Sequence, residues 1–446
     1  MNGKKFIARY DDALPSFVSL VIEHLGATAV DEHAFLRDAD GTLTLVVRSE
    51  IDTSLLSRMG MAVKELLGSY AAQAPIATPS DLFDPRLGDP SRDLMERVQL
   101  DERQCVVRLI ERRVIGQDWL RGIQQPLPDV PPIVVFASHK GGVGRSTALS
   151  VASAEFASRG RSVLAIDLDL EAPGLGGLFL PTHDLPSFGV PDYFVENGRG
   201  SVDDSFLRDM LAISPLTGGR GQISIVPAVG QRCRDFPQNV IGKLSRAYLD
   251  DVDATVSSAE SLTFLDQTRA MIAALCQRDR YDTVFVDARA GLNETTAAAV
   301  QGLGADVLFF GVDTAKTWEG YRYFFAHLAR FNPPPGGEED WRYRIRMIHA
   351  KAAADPKAWA GFRDSAFELF ADHLYDEANE SVEEILAPFS FDLDDEAAPH
   401  FAWPILMDQS YFEFDPLSHR EQMMEPIYAR TFGPFIKGLS ERLGFT

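Results

Sequence analysis

The residues with the clearest chemical potential form the run FASHKGGVGRSTALSVAS, residues 136–153. Glycines at 141, 142 and 144 let a backbone curl until its N–H groups, with that of Val143 among them, converge on an anion. A helix opening straight after the loop adds its positive end to the same point. Ser146 supplies a hydroxyl suited to Mg²⁺ beside the β- and γ-phosphates, and Thr147 a further phosphate contact. The flanking pattern, an apolar strand before and a helix after, is the context a phosphate loop requires. The competing account is a glycine-rich strand–helix turn that holds nothing.

Two acidic strand ends accompany this loop. SVLAIDLDLEAPGLG (162–176) places Asp167 and Asp169 at the carboxyl end of a strand, where open α/β sheets bind ligands. Their i, i+2 spacing directs both carboxylates to one side. YDTVFVDARAG (281–291) runs three apolar positions into Asp287, as expected of a buried strand that delivers a carboxylate toward Mg²⁺ through water. Glu171 and Pro173 read as structural.

Positioning these groups demands a sheet. From Ile133 onward, apolar runs alternate with helical patterns. IVVFAS (133–138), SVLAID (162–167), QISIVPA (222–228), YDTVFVD (281–287), DVLFFGV (306–312) and YRIRMIHA (343–350) read as strands. Helices are expected over Ser146–Ser158, ended by Gly160, and over Ser258–Gln277. Such alternation predicts a doubly wound, mostly parallel α/β sheet covered on both faces. Residues 1–130 read as a smaller α/β domain. A strand is expected at Thr42–Arg48, a helix over Thr53–Tyr70, a loop from Ala74 to Ser91, and a strand or hairpin at Gln104–Gly116. The proline-rich QQPLPDVPP (124–132) marks the boundary, so the second domain is assigned 131–446.

Composition narrows the partners. The formal net charge is −22, whereas gripping DNA without regard to sequence needs a basic face. DNA and anionic membrane are therefore disfavoured. Asp372–Glu396, rich in carboxylates, reads as a solvated face and loop. Cys105, Cys233 and Cys276 stand far apart, which argues against both a disulfide framework and a zinc site. The first residues lack the apolar run of a signal peptide and no stretch is long enough to span a bilayer, so the cytoplasm is expected. The amphipathic EPIYARTFGPFIKGLSERLG (425–444), with Ile427, Phe432, Phe435, Ile436 and Leu439, is expected to pack on the sheet and not on a membrane.

KGGVGRST (140–147) resembles the deviant Walker A motif, KGGxGK[ST], of the ParA/MinD class of P-loop ATPases. The resemblance implies ATP and Mg²⁺ as ligands and a homodimer that sandwiches the nucleotides. Lys140 would reach across to the partner's phosphates, Asp167 would support the Mg²⁺ shell, and Asp169 would orient the attacking water. Asp287 matches the Walker B position, and Gly291 matches the glycine whose N–H senses the γ-phosphate. Arg145 stands where the motif's second lysine contacts the phosphates. Arginine keeps the charge but is longer and forked, so binding is expected to survive better than turnover. KGGVGR, DLEAPGL and Arg289 all resemble a subgroup often joined to sensor or effector modules in bacterial conflict and signalling systems. Arg289 either meets the transferring phosphoryl group or pairs with an acidic residue. The resemblance spans about Ile133 to the C-terminus, and it implies a switch that recruits another protein as effector or cargo. A nucleotide-gated scaffold with little hydrolysis and a DNA-partition ATPase are the alternatives. A tyrosine autokinase is disfavoured, because the chain ends GLSERLGFT without a tyrosine cluster. The base is expected near His349–Asp355 or Asp408–Pro416, and His139 is expected to be a bystander.

Overall fold

The computed structural model describes all residues except 1–7, 101–102, 198–201, 218, 250, 253–260, 332–338, 377–387 and 446. The start of the N-terminal segment, the middle of the acidic run 372–396 and the first positions of the helix expected from Ser258 thus lie outside the described residues. Two compact units result, Met1–Leu120 and Arg121–Thr446. The segment after Leu120 is fastened within the second unit. Arg121 Nη1 donates to Asp266 at 2.6 Å, and the amide of Gln124 to the carbonyl of Gln301 at 2.8 Å.

In the first unit, strands β1 (Ala34–Arg37), β2 (Leu43–Val46), β3 (Ala71–Ala77), β4 (Leu94–Leu100) and β5 (Arg103–Glu111) lie in the order β3-β2-β1-β5-β4. Helices Tyr10–Leu25 and Thr53–Leu67 cover one face, burying Phe17, Met59 and Val63 against Phe35, Leu45 and Leu109. The loop expected from Ala74 begins four residues later than its sequence suggests. Ala74–Ala77 belong to β3, an edge strand, where Pro75 deprives no central ladder of a hydrogen bond. Pro15, inside the first helix, obscures a pattern that Ala13, Leu14, Phe17, Val18 and Val21 otherwise make plain.

The second unit is built on eight strands. They are β6 (Ile133–Ala137), β7 (Ser162–Asp167), β8 (Ala212–Ile213), β9 (Gln222–Val226), β12 (Thr283–Asp287), β13 (Asp306–Gly311), β14 (Ile345–Ala352) and β15 (Trp403–Leu406). The two-residue β10 (Asp251–Val252) and β11 (Ser261–Leu262) form a separate ribbon. The order is β15-β14-β13-β6-β12-β7-β9-β8, parallel throughout except for β8 against β9 at the edge. This is the expected doubly wound α/β sheet. The helix of the glycine loop, Arg145–Ser158, lies over β6, β7 and β12. Beside it on the same face packs the final helix, Glu425–Arg442, whose Phe435 meets the rings of Phe136 and Phe310. On the other face Phe309 packs against Tyr321, Phe324 and Phe325 of helix Ala315–Leu328. Helix Phe264–Arg278 starts six residues after the expected position, because Thr263 and Asp266 form a reciprocal capping box there. Among the described residues no helix is long and apolar enough to cross a membrane.

The final helix approaches the sheet closely at Gly438. A Cβ there would fall 2.3 Å from the ring of Trp403 on β15. Gly438→Ala is therefore expected to destabilise the second unit by about 1–3 kcal/mol, read as a lower denaturant midpoint at an unchanged slope. An unchanged midpoint would mean that this helix is not packed as described.

Candidate functional site

Strands β6, β7 and β12 are adjacent and parallel, so their carboxyl ends deliver Ser138, Asp167 and Asp287 to one edge of the sheet. Residues 139–144 loop out of that edge. The Ser138 hydroxyl holds the loop's start by donating to the carbonyl of Lys140 at 2.7 Å. Gly144 precedes the helix with φ of 96°, left-handed backbone that a side chain resists. The loop is thus shaped to turn its amides inward at a helix N-terminus.

Arg145 is the centre of the charge arrangement. It is only 7% exposed, with Nη2 3.4 Å from Asp169 and Nε 3.8 Å from Asp287. The Ser146 hydroxyl donates to the other oxygen of Asp287. Arg145 Nη1, Asp169 Oδ1 and Asp287 Oδ1 are all buried without a hydrogen-bond partner among the described residues. Buried polar atoms are ordinarily satisfied. Here one donor and two carboxylate oxygens are left over around a single anion cradle. A hydroxyl beside a carboxylate oxygen suits Mg²⁺, which typically takes one or two protein oxygens and completes its shell with water and phosphate.

The other expected residues are placed as follows. Lys140 is exposed and makes no ion pair among the described residues, and Gly141 and Gly142 are exposed beside it. Val143 is buried under the loop, and Thr147 sits half-buried in the helix's first turn. Asp167 is engaged by its own loop. It accepts the amides of Asp169 at 3.0 Å, Leu175 at 3.1 Å and Gly174 at 3.3 Å, fixing the chain after β7. The Gly291 amide donates to the Ser138 carbonyl at 2.9 Å, so this N–H is engaged by β6 and not presented outward. Arg289 pairs with Glu171, which also accepts from the Tyr248 hydroxyl at 3.2 Å. His139 puts its ring against Gly320, and its Nδ1 is buried without a partner.

Burial strengthens the hold of these acids on their protons. Burial, reinforced by the charge of Asp287, pushes Asp167 up to about 8. Burial pushes Asp287 up to about 6, against the opposing pull of Arg145 and the Ser146 hydroxyl. Asp169 is raised as well, by desolvation that Arg145 and then Arg289 partly offset. The folded chain therefore retains protons that the unfolded chain has released. This contribution to stability is complete below the ordinary carboxyl range and is lost progressively as pH rises from there to about 6 for Asp287 and to about 8 for Asp167. Asp287→Asn, which stays neutral and keeps an acceptor for Ser146, is expected to lessen the fall in stability between about pH 4 and 6.5. The difference from the native chain should be of the order of 1–2 kcal/mol in denaturant midpoints. Parallel pH curves for the two proteins would refute the protonated state.

Next to the loop opens a cleft of 510 Å³, with Gly142–Thr147 on one side and Lys351, Met407, Tyr411, Phe412 and Phe414 on the other. Both chain segments expected near a base thus reach it, through particular side chains that the sequence did not single out. Lys351 has φ of 54° beside a register shift between His349 and Ala352. Phe412 is 62% exposed. The loop carrying it is held by Asp408, which accepts from Arg430 at 2.7 Å and from Thr431 at 2.9 Å. An open aromatic face next to an anion cradle suits a nucleotide, phosphates on one side and base on the other.

No protein-family model matches the chain, and no curated protein matches it. Solved structures do resemble it at low identity. The structure of pNOB8 ParA bound to nonspecific DNA is 16% identical, over 70% of this chain and 97% of that one, with a TM-score of 0.42. A plasmid partition protein from Borrelia burgdorferi is 16% identical, over 68% and 99%, with a TM-score of 0.37. The cell-division ATPase MinD of Pyrococcus furiosus is 19% identical, over 43% and 64%, with a TM-score of 0.29.

Proposed function

We propose that the chain is a P-loop switch of the ParA/MinD type that binds Mg²⁺·ATP, closes a homodimer around it, and hydrolyses it slowly. One observation carries this reading: Arg145 Nη1 and Asp287 Oδ1, buried and without a hydrogen bond among the described residues, flank a glycine loop at a helix N-terminus. In the proposal the loop amides and Arg145 hold the phosphates, while Ser146 and Asp287 offer their oxygens to the metal. Mg²⁺, when bound, would neutralise charge on the β- and γ-phosphates. Asp169 orients the attacking water, and Asp167 holds the loop that carries Asp169. Lys140, exposed and unpaired, is free to reach the partner's nucleotide. Breaking of the Gly291–Ser138 bond would free the Gly291 amide for the γ-phosphate. Arg289 acts through its pair with Glu171, linking this loop to the chain around Tyr248.

A nucleotide-gated scaffold with negligible turnover is the second reading, and a specific contact favours it. The guanidinium of Arg145 is tethered to Asp169, the residue that would orient water. Arg145→Lys, with a compact charge and no fork, is then expected to raise phosphate release several-fold. Single-turnover assays of both proteins decide: release above background supports the ATPase, and none in either supports the scaffold. Light scattering with and without ATP tests the dimer. A DNA-partition role is set against a net charge of −22. The remaining parts of the proposal are recruitment of a protein partner, a sensor, effector or docking role for the first unit, and a place in bacterial defence or signalling.

A further inference from the structure

We propose that the second unit has a separate site for a small organic oxyanion, at the end of the sheet opposite the glycine loop. A cavity of 510 Å³ opens there, within the range of small-molecule pockets. Ile133, Asp306 and Arg346 line it from the amino-terminal starts of β6, β13 and β14. The five residues of β6 separate it from the loop, a span of roughly 17 Å. This site does not depend on the nucleotide reading.

Arg344 and Arg346 are 7% and 6% exposed, and among the described residues neither forms a salt bridge. Arg344 donates to the carbonyls of Gly304 at 2.9 Å and Gln124 at 3.2 Å. Arg346 donates to the carbonyls of Ala398 at 2.6 Å, Ala397 at 2.8 Å, Phe401 at 2.9 Å and Glu396 at 3.3 Å, while its Nε has no partner. Carbonyls satisfy hydrogens but do not neutralise a guanidinium, and a buried charge without a counter-ion is costly. Burial accordingly lowers both arginines, Arg346 to about 10 with the nearby charge of Arg442 adding to the effect. Arg442, also in the wall, is already matched by Asp306 at 2.7 Å. Within the wall itself three guanidinium groups face two carboxylates, Asp306 and Glu339, while Asp340 and Asp395 act on the arginines from outside it.

A forked guanidinium is suited to phosphate or carboxylate oxygens. The rest of the wall is apolar, formed by Pro126, Leu127, Val130, Pro131 and Pro132 with Tyr343 alongside. The matching ligand carries one oxyanion group on an apolar or ring-shaped body. The proline-rich segment that reads as a linker in sequence would serve as one side of this pocket.

The probes are phenyl phosphate and benzoate, titrated separately into the full chain. Binding is followed by equilibrium dialysis and by tryptophan fluorescence, since the Arg346 guanidinium lies 5.0 Å over the ring of Trp403. At least one probe is expected to saturate at one molecule per chain, and which one binds tells a phosphate ligand from a carboxylate ligand. Arg344→Gln and Arg346→Gln should each weaken binding at least tenfold, Glu339→Gln should strengthen it, and saturating Mg²⁺·ATP should leave the probe bound. The proposal is overturned if neither probe binds, if both arginine variants retain native affinity, or if Mg²⁺·ATP displaces the probe. Should the arginine variants fail to fold, Glu339→Gln decides: unchanged affinity there overturns the proposal.

Discussion

Gly144→Val abolishes triphosphate binding while the chain stays folded. Gly144 sits at φ of 96°, and a Cβ built on it meets nothing within 4 Å. The substitution therefore does not crowd the core. It acts first through the backbone, since a β-branched residue held in left-handed geometry costs of the order of 1–3 kcal/mol. Its methyl groups would also stand on the open side of the loop, where the phosphates approach. The expected loss is at least about 100-fold in affinity, near 3 kcal/mol. Circular dichroism and the denaturant midpoint should report a folded chain, with a modest loss of stability at most. Native-like affinity in this variant would mean that the phosphates do not lie in the loop.

Asp169→Ala separates binding from chemistry. Asp169 is a half-buried carboxylate whose contact with Arg145 is an ion pair within the cradle. Removing it takes away the group proposed to orient water, for which losses of about 100-fold or more are usual. It also frees Arg145 from a competing carboxylate, so nucleotide affinity is expected to hold or rise. Single-turnover phosphate release should therefore collapse while the dissociation constant does not weaken. If both fall together, Asp169 is a structural partner of Arg145 and the water-positioning role is wrong. This variant and Gly144→Val thus give opposite patterns, binding without release in one and neither in the other.

These residues differ in how far the sequence exposes them. The glycine loop is legible because its determinants are contiguous: glycines, a hydroxyl pair and an abrupt change from apolar strand to helix. Asp287 is legible for a similar reason, as three apolar neighbours, Val284, Phe285 and Val286, announce a buried strand and the acid ends it. The sheet order follows less directly, although the alternation of strand and helix fixed its parallel character. Hidden from the sequence are contacts between distant segments. Arg145 meets Asp169 and Asp287 only because β6, β7 and β12 lie side by side. Asp167 looks equivalent to Asp169 by spacing, yet its strand end faces the amides of residues 169, 174 and 175 and is absorbed by them. The aromatic wall of the cleft comes from a loop near residue 411, brought over the glycine loop by a final helix that covers the same face of the sheet. Nothing in the local pattern of Tyr411 or Phe412 announces that neighbour. Arg289 left two alternatives open, and the structure supplies its acidic partner, Glu171, some 118 positions earlier in the chain.

Calorimetry of the full chain with ATP, in millimolar Mg²⁺ and again in EDTA, decides whether the glycine loop holds a nucleotide with its metal. The unpartnered Arg145 and Asp287 atoms predict saturable heat at one nucleotide per chain, strongly weakened without the metal. A flat titration with every nucleoside triphosphate in Mg²⁺ would contradict that prediction.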